Sequence, residues 1–252
     1  MMGARPIALS CAMIIEEGFD IEILEKIVAS MDEALGECGA AIVTGDTKVL
    51  ERGGAIDGIA INTAGGVGVA ENPVRDCGLL PGDVIIVSGT IGDHGMAIMT
   101  HREGFDLGEQ IQSDVAPLWP LVEAALLAGD IHAMKDPTRG GFSNAINEMA
   151  EKSGVQVRIT EDALPIRRSV RSASELLGIN PPLDVANEGK VVMGVAPDDA
   201  AAILAAIRSF PQGRDAAIIG VVKEGTSVIL ETPIGGERFI EAPVGDPVPR
   251  VC

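Results

Sequence analysis

Apolar positions recur every three to four residues at Ile23, Leu24, Ile27, Val28, Met31 and Leu35, the spacing that lines one face of an α-helix. Asp20 stands where a helix N-cap belongs, and Gly36 and Gly39 supply stop signals. Glu22, Glu25, Asp32 and Glu33 fall on the solvated face. Two short apolar runs follow. Ala40–Val43 predicts a buried strand ending in Thr44-Gly45-Asp46-Thr47-Lys48, and Gly58–Thr63 predicts another that leaves through Gly65, Gly66 and Gly68. Ahead of them, Met1–Pro6 runs straight into Ile7-Ala8-Leu9 without a cap or leader.

From Asn72-Pro73 to Pro81-Gly82-Asp83 turn formers replace periodicity, which predicts a domain boundary. Beyond it Val84–Val87 is a β-branched strand opening into Ser88–Gly95, with a helix starting over Met96–Thr100. Helical patterns cover Leu118–Leu127, Ser143–Glu151, Ser169–Leu177 and Ala200–Ser209. Strands are predicted at Val155–Ile159, Asp184–Ala186, Val191–Val195, Ala216–Val222 and Ser227–Leu230. Strands and helices mixed without a strict βαβ beat give an α+β fold with helices layered on sheets.

The 252 residues carry a net charge of −18, with 2% aromatic residues and no tyrosine. That balance argues against a nucleic-acid partner, for there is neither a basic patch nor a set of stacking platforms. A phosphate-bearing ligand would have to bring a divalent cation or be met by backbone amides. Cys11, Cys38, Cys77 and Cys252 are far apart, with no C-x-x-C pair, so neither a zinc site nor a disulfide framework is expected. No apolar run reaches the roughly 18–20 residues that span a bilayer, and a cytoplasmic setting is expected.

Four polar clusters sit where a strand hands over to a loop or helix. Asp46 and Lys48 are two residues apart and suit Mg²⁺ and phosphate; a surface turn with a loose ion pair is the alternative. Arg52 adds a phosphate donor or a solvated cation. Asp136-Pro137-Thr138-Arg139-Gly140-Gly141 precedes a helical pattern, where paired glycines and helix-start amides favour an anion; an ordinary N-cap and turn is the alternative. Asn187-Glu188-Gly189-Lys190 reads alone as a β-turn, although a Glu in a partly dry cleft can serve as a general base. His94, in Ser88–Gly95, packs or caps more readily than it catalyses. Neither a Walker A loop nor a Rossmann fingerprint is present. The chain ends in Pro247-Val248-Pro249-Arg250-Val251-Cys252, a stiff arm reaching roughly 20–25 Å from Gly245 that either presents a thiol or merely ends there.

Gly-Asp-Thr-Lys with Arg52, Asp-His-Gly-Met-Ala, Asp-Pro-Thr-Arg-Gly-Gly and Asn-Glu-Gly-Lys, in this order and closed by Pro-Arg-Val-Cys, resemble the successive signatures of the HypE family. These are the carbamoyl dehydratases of hydrogenase maturation within the aminoimidazole-ribotide-synthetase-like superfamily. The superfamily also holds selenophosphate synthetase and thiamine-phosphate kinase; the terminal cysteine singles out one branch. The resemblance implies an AIR-synthetase-like fold, with the rest of a β-rich, ATP-binding and dimerising domain over 1–71, an α/β-layered domain over 80–226, and a segment with an extended tail over 227–252. The family carries a further N-terminal segment with phosphate contacts, so Met1–Pro6 is expected to be its interior and the chain to lack part of the ATP site.

The activity implied is a two-step chemistry on Cys252. A carbamoyltransferase, HypF, loads the thiol, and ATP then drives dehydration of the S-carboxamide to a thiocyanate, which passes as cyanide through HypC–HypD to hydrogenase iron. By this resemblance Glu188 is the base and Lys48 the cation at the oxygen or transferred phosphate. Asp46 and Asp136 hold Mg²⁺, while Arg52, His94, Asp136, Thr138, Arg139, Gly140, Gly141 and Asn187 meet the nucleotide. A homodimer is expected. The alternatives are another ATP-using enzyme of the superfamily, indifferent to loss of Cys252, and a thiol-carrying scaffold that binds no nucleotide.

Overall fold

The structure, a computed structural model, describes residues 2–55, 58–105, 111–179 and 181–244. It divides into two compact units, Ala4–Asn72 and Met1–Gly3 with Pro73–Cys252.

In the smaller unit β1 (Arg5–Glu16), α1 (Ile21–Cys38) and β2 (Ala41–Leu50) form a β-α-β crossover, and β3 (Ile59–Val69) returns antiparallel to β1. The sheet order is β2-β1-β3. Asp20 caps α1 by accepting the Glu22 N–H at 2.8 Å, and Gly39 ends it with a φ of 67°, the left-handed position where glycine escapes a Cβ clash. The strands run further than their apolar cores predict: β2 continues through Lys48 to Leu50, and β3 absorbs Gly65, Gly66 and Gly68. Pairing with β1 supplies the reason, since ladder hydrogen bonds hold residues with little strand preference of their own. No residue of α1 is buried. Between its apolar face and the sheet lies a groove of 840 Å³, lined by residues such as Cys11, Leu24, Val28, Met31 and Ile42.

The larger unit is built on a seven-stranded sheet in the order β10-β9-β6-β8-β4-β7-β5. The strands are β4 (Val84–Val87), β5 (Ile131–Lys135), β6 (Gln156–Thr160), β7 (Val192–Val195), β8 (Ala217–Lys223), β9 (Val228–Glu231) and β10 (Glu237–Phe239). All neighbours are antiparallel except β6 and β9. β4 lies between β8 and β7 with both faces covered, which is why its sequence is a continuous apolar run instead of an alternation. Ile85 and Val87 join one core with Phe142, Ile146 and Met149 of α4 (Gly141–Ser153). Ile86 points the other way, into a core with Leu121, Val122 and Ala125 of α3 (Trp119–Ala128) and Ile203 and Ile207 of α6 (Ala200–Arg208). A third cluster joins Met96 of α2 (Asp93–Arg102) to Val170 and Ala173 of α5 (Arg168–Leu176). The predicted strand at Asp184–Ala186 is not one. Pro182–Asp184 forms a single 3₁₀ turn and Val185-Ala186 leave it unpaired in any ladder. β1, β5 and β10 are strands beyond those the patterning predicts, although Ile7-Ala8-Leu9 and Ala12-Met13-Ile14-Ile15 give β1 apolar runs.

Candidate functional site

In the larger unit the site grows where β4 gives out. Ser88 follows the strand, and its Oγ accepts the Val191 N–H at 2.9 Å, tying the start of this loop to the start of β7. Gly92, with a φ of 85°, turns the chain into α2. Asn187 pins that turn from across the site: its Oδ1 accepts the Gly92 N–H at 3.0 Å, and its Nδ2 donates to the Thr90 carbonyl at 3.2 Å. The same amide donates to Asp114 Oδ2 at 2.7 Å. Asn187 is 1% exposed, so its side-chain hydrogen-bonding capacity is spent inside the protein.

Asp114 lies in an irregular segment and is held entirely by what it binds. Oδ1 accepts the Glu188 N–H at 3.0 Å, and Oδ2 stands 3.2 Å from Lys190 Nζ, both side chains being buried. An ion pair removed from water in this way repays its desolvation only with further hydrogen bonds, and Asn187 and the Glu188 amide supply them. Gly189 is required here for a separate reason. A Cβ on it would come 1.8 Å from the Asp114 carbonyl oxygen, so the turn and the segment can approach only through a glycine.

This framework projects Glu188 outward. Burial of its carboxyl among neighbouring atoms raises its pKa, the field of His94 opposes the rise, and the Asp114 and Asp136 carboxylates add to it. A carboxylate made more basic in this way, yet open to solvent, suits proton abstraction. His94 is fixed by its Nδ1, 2.8 Å from Ser113 Oγ. Asp93 beside it is buried, with desolvation raising its pKa against the opposing Thr90 hydrogen bond and Arg167 charge. Its Oδ1 has no hydrogen-bond partner among the described residues.

Asp136 and Thr138 share one loop, with the Thr138 hydroxyl donating to Asp136 Oδ2 at 2.8 Å. The loop is joined to the Glu188 turn through the Pro137 carbonyl, which accepts the Asn187 N–H at 3.0 Å. Gly140 and Gly141 then take φ values of 67° and 59° and open α4. The Gly141 amide donates to the Thr138 carbonyl at 3.1 Å, but no side chain caps this helix, so the amides that follow in its first turn retain capacity for an anion. Arg139 stands exposed beside them.

In the smaller unit Asp46 and Lys48 lie within β2, two residues apart and therefore on one face of the strand. This differs from the strand-end turn expected, and the strand backbone gives both side chains a fixed direction. Arg52 donates from Nε to the Glu17 carbonyl at 3.3 Å. Cys252 lies outside the described residues. Asp114 and Ser113 fall in none of the sequence motifs, and Asp93 and Lys190 fall in motifs that assign them no role. Asp114 and Ser113 stand in a stretch without periodicity, where no local signal marks a residue whose partners are about 19 to 76 positions away.

Residues 1–70 match the AIR synthase related protein family, N-terminal domain, and residues 81–232 its C-terminal domain. The chain is 52% identical over its whole length to a Methanocaldococcus jannaschii protein named for hydrogenase expression and formation, spanning 75% of that protein. It is 47% identical over its whole length to the carbamoyl dehydratase HypE of Rhizobium leguminosarum bv. viciae, spanning 73% of it. A crystal structure of the hydrogenase maturation protein HypE superposes on the whole chain with a TM-score of 0.93 at 42% identity, over 81% of that chain. A HypE complex with ATP superposes with a TM-score of 0.91 at 42% identity, over 98% of this chain and 76% of that one. In a HypE–HypF complex the corresponding values are 0.90, 46%, 96% and 80%.

Proposed function

Since the chain belongs to the HypE family of AIR synthase related proteins, we propose that its ATP-dependent carbamoyl dehydratase activity, in hydrogenase maturation, acts on Cys252 with Glu188 as base. ATP is its nucleotide and HypF its partner, in keeping with the relatives solved with each. The observation that carries the assignment of Glu188 is its raised pKa in a turn joined to the 136–141 loop.

The chemistry follows from the S-carboxamide. Its oxygen is a poor leaving group, and phosphoryl transfer from ATP makes it a good one. The C–O bond then breaks as phosphate departs, both N–H protons are lost, and the C≡N bond of a thiocyanate remains on sulfur. Glu188 takes one of these protons at its carboxylate, the departing phosphate carries the other, and Lys48 neutralises charge at the oxygen or the transferred phosphate. The leading amides of α4, with Arg139 and Thr138, meet phosphate oxygens, and His94 and Arg52 serve the nucleotide. Asn187 contributes by shaping the turn. Asp136 and Asp46 are hard single carboxylates of the kind Mg²⁺ takes, one or two at a time, with phosphate and water filling its shell; the bound ion would neutralise phosphate charge.

Transfer onward to a HypC–HypD scaffold, a cytoplasmic setting and a homodimer complete the reading. The homodimer is supported by β2, an edge strand whose ten residues are all exposed.

Mass spectrometry of Cys252 after incubation with HypF, a carbamoyl donor and Mg-ATP tests the reaction. The parent is expected to gain a carbamoyl group and lose water, whereas Glu188→Gln accumulates the carbamoyl form and makes thiocyanate at least about 100-fold more slowly. Thiocyanate formed by Glu188→Gln at the parent rate would remove Glu188 from the role of base.

A further inference from the structure

The chain enters its last stretch from β10, and the residues after that strand are held against α4. Ile240 is buried, and its N–H donates to the Val228 carbonyl at 3.0 Å. Its carbonyl accepts from Asn147 Nδ2 at 2.9 Å, and the same amide donates to the Ser143 carbonyl at 2.8 Å. Three residues later Pro243 rests on Gly140. A Cβ placed on Gly140 would lie 2.8 Å from Pro243 Cγ, so the proline ring occupies space that only a glycine leaves free. The loop that opens α4 toward an anion is therefore also the seat of the root of the cysteine-bearing arm.

We infer that Asn147 and the Pro243–Gly140 contact are positioning elements that fix where this arm begins, beside the 136–141 loop. Resting on the dehydratase reading, the inference adds what delivers the thiol. With the root seated, eight residues follow Val244, the last being Cys252. With the root released beyond Ile240, which burial and the Val228 carbonyl still hold, twelve residues follow it. Effective concentration falls roughly as the −3/2 power of tether length, so release lowers it by about twofold before any loss of direction is counted. Orientation adds to that, because a seated root aims the arm whereas a released one explores a larger volume.

The test uses the full chain with Asn147→Leu, which removes the amide at similar size, and with Pro243→Gly. Both are expected to be loaded by HypF and to bind Mg-ATP as the parent does, while single-turnover conversion of the carbamoyl group to thiocyanate slows by about two- to tenfold. A nitroxide on Cys252, in a background where the other thiols are serine, is expected to sharpen its spectrum in both variants. Parent-like conversion together with a parent-like spectrum would overturn the inference, and so would a loss of Mg-ATP binding equal to the loss of rate. If the parent made no thiocyanate the dehydratase reading would fall, and the nitroxide spectra would still decide whether Asn147 holds the arm.

Discussion

Asp114 is the residue on which the described site depends most. It joins the Asn187 amide, the Glu188 backbone and the Lys190 ammonium, and deleting its carboxylate leaves a buried cation without a counter-charge. Asp114→Ala is expected to cost about 3–5 kcal/mol of stability in urea unfolding. Adding Lys190→Met should recover most of that loss; a double variant as unstable as the single one would show that the pair is not the cause. Asp93 offers the opposite sign. Burial raises its pKa above the ordinary carboxylate range, so the folded state binds its proton more tightly than the unfolded state. The resulting penalty is absent below about pH 3.8, grows as pH rises through the unfolded and folded values, and is complete above both. Asp93→Asn is therefore expected to melt roughly 2–4 °C higher than the parent at pH 7, with the gain vanishing near pH 3. A gain independent of pH would point to packing instead of charge.

At the level of elements, strong periodicity identified most helices and the buried strands of the larger unit, because burial on one helix face or both strand faces leaves a local record. Val84–Val87 is such a case. β5 left no comparable mark in Ile-His-Ala-Met-Lys, whose strand form follows from pairing with β7. The 136–141 loop shows how far glycines can be read. Their pairing marks close approach, but what they approach was hidden until the 183–185 segment came into place. A Cβ on Gly141 would stand 2.5 Å from both the Leu183 and the Val185 carbonyl oxygens, at a φ of 59°. Gly141→Ala is accordingly expected to destabilise by about 2–4 kcal/mol, combining backbone strain with displacement of a carbonyl. Calorimetric melting would measure it, and a loss under 0.5 kcal/mol, on the order of an ordinary surface change, would mean that the segment yields freely.

For the whole molecule, the smaller unit presents Val43, Val49, Val67 and Val69 to solvent, and the edge of β2, open among the described residues, can pair with another chain. Val43→Lys with Val49→Lys is expected to shift sedimentation toward the monomer, as charges on an edge strand block pairing. A variant that sediments with the parent would remove the β2 edge as support for the proposed homodimer. The motifs from Gly45 to Lys190, the α+β class and the family resemblance were all legible in the sequence. They rest on residue type, order and local periodicity, which the chain carries along its length. The tertiary structure alone decided that Asp114 underlies the Glu188 turn, that Asn187 spends its amide inside, and that Ile240 and Pro243 sit on α4. Those contacts join positions 73 to 103 residues apart, and nothing in the local chemistry of either partner names the other before the sheet and its helices bring them together.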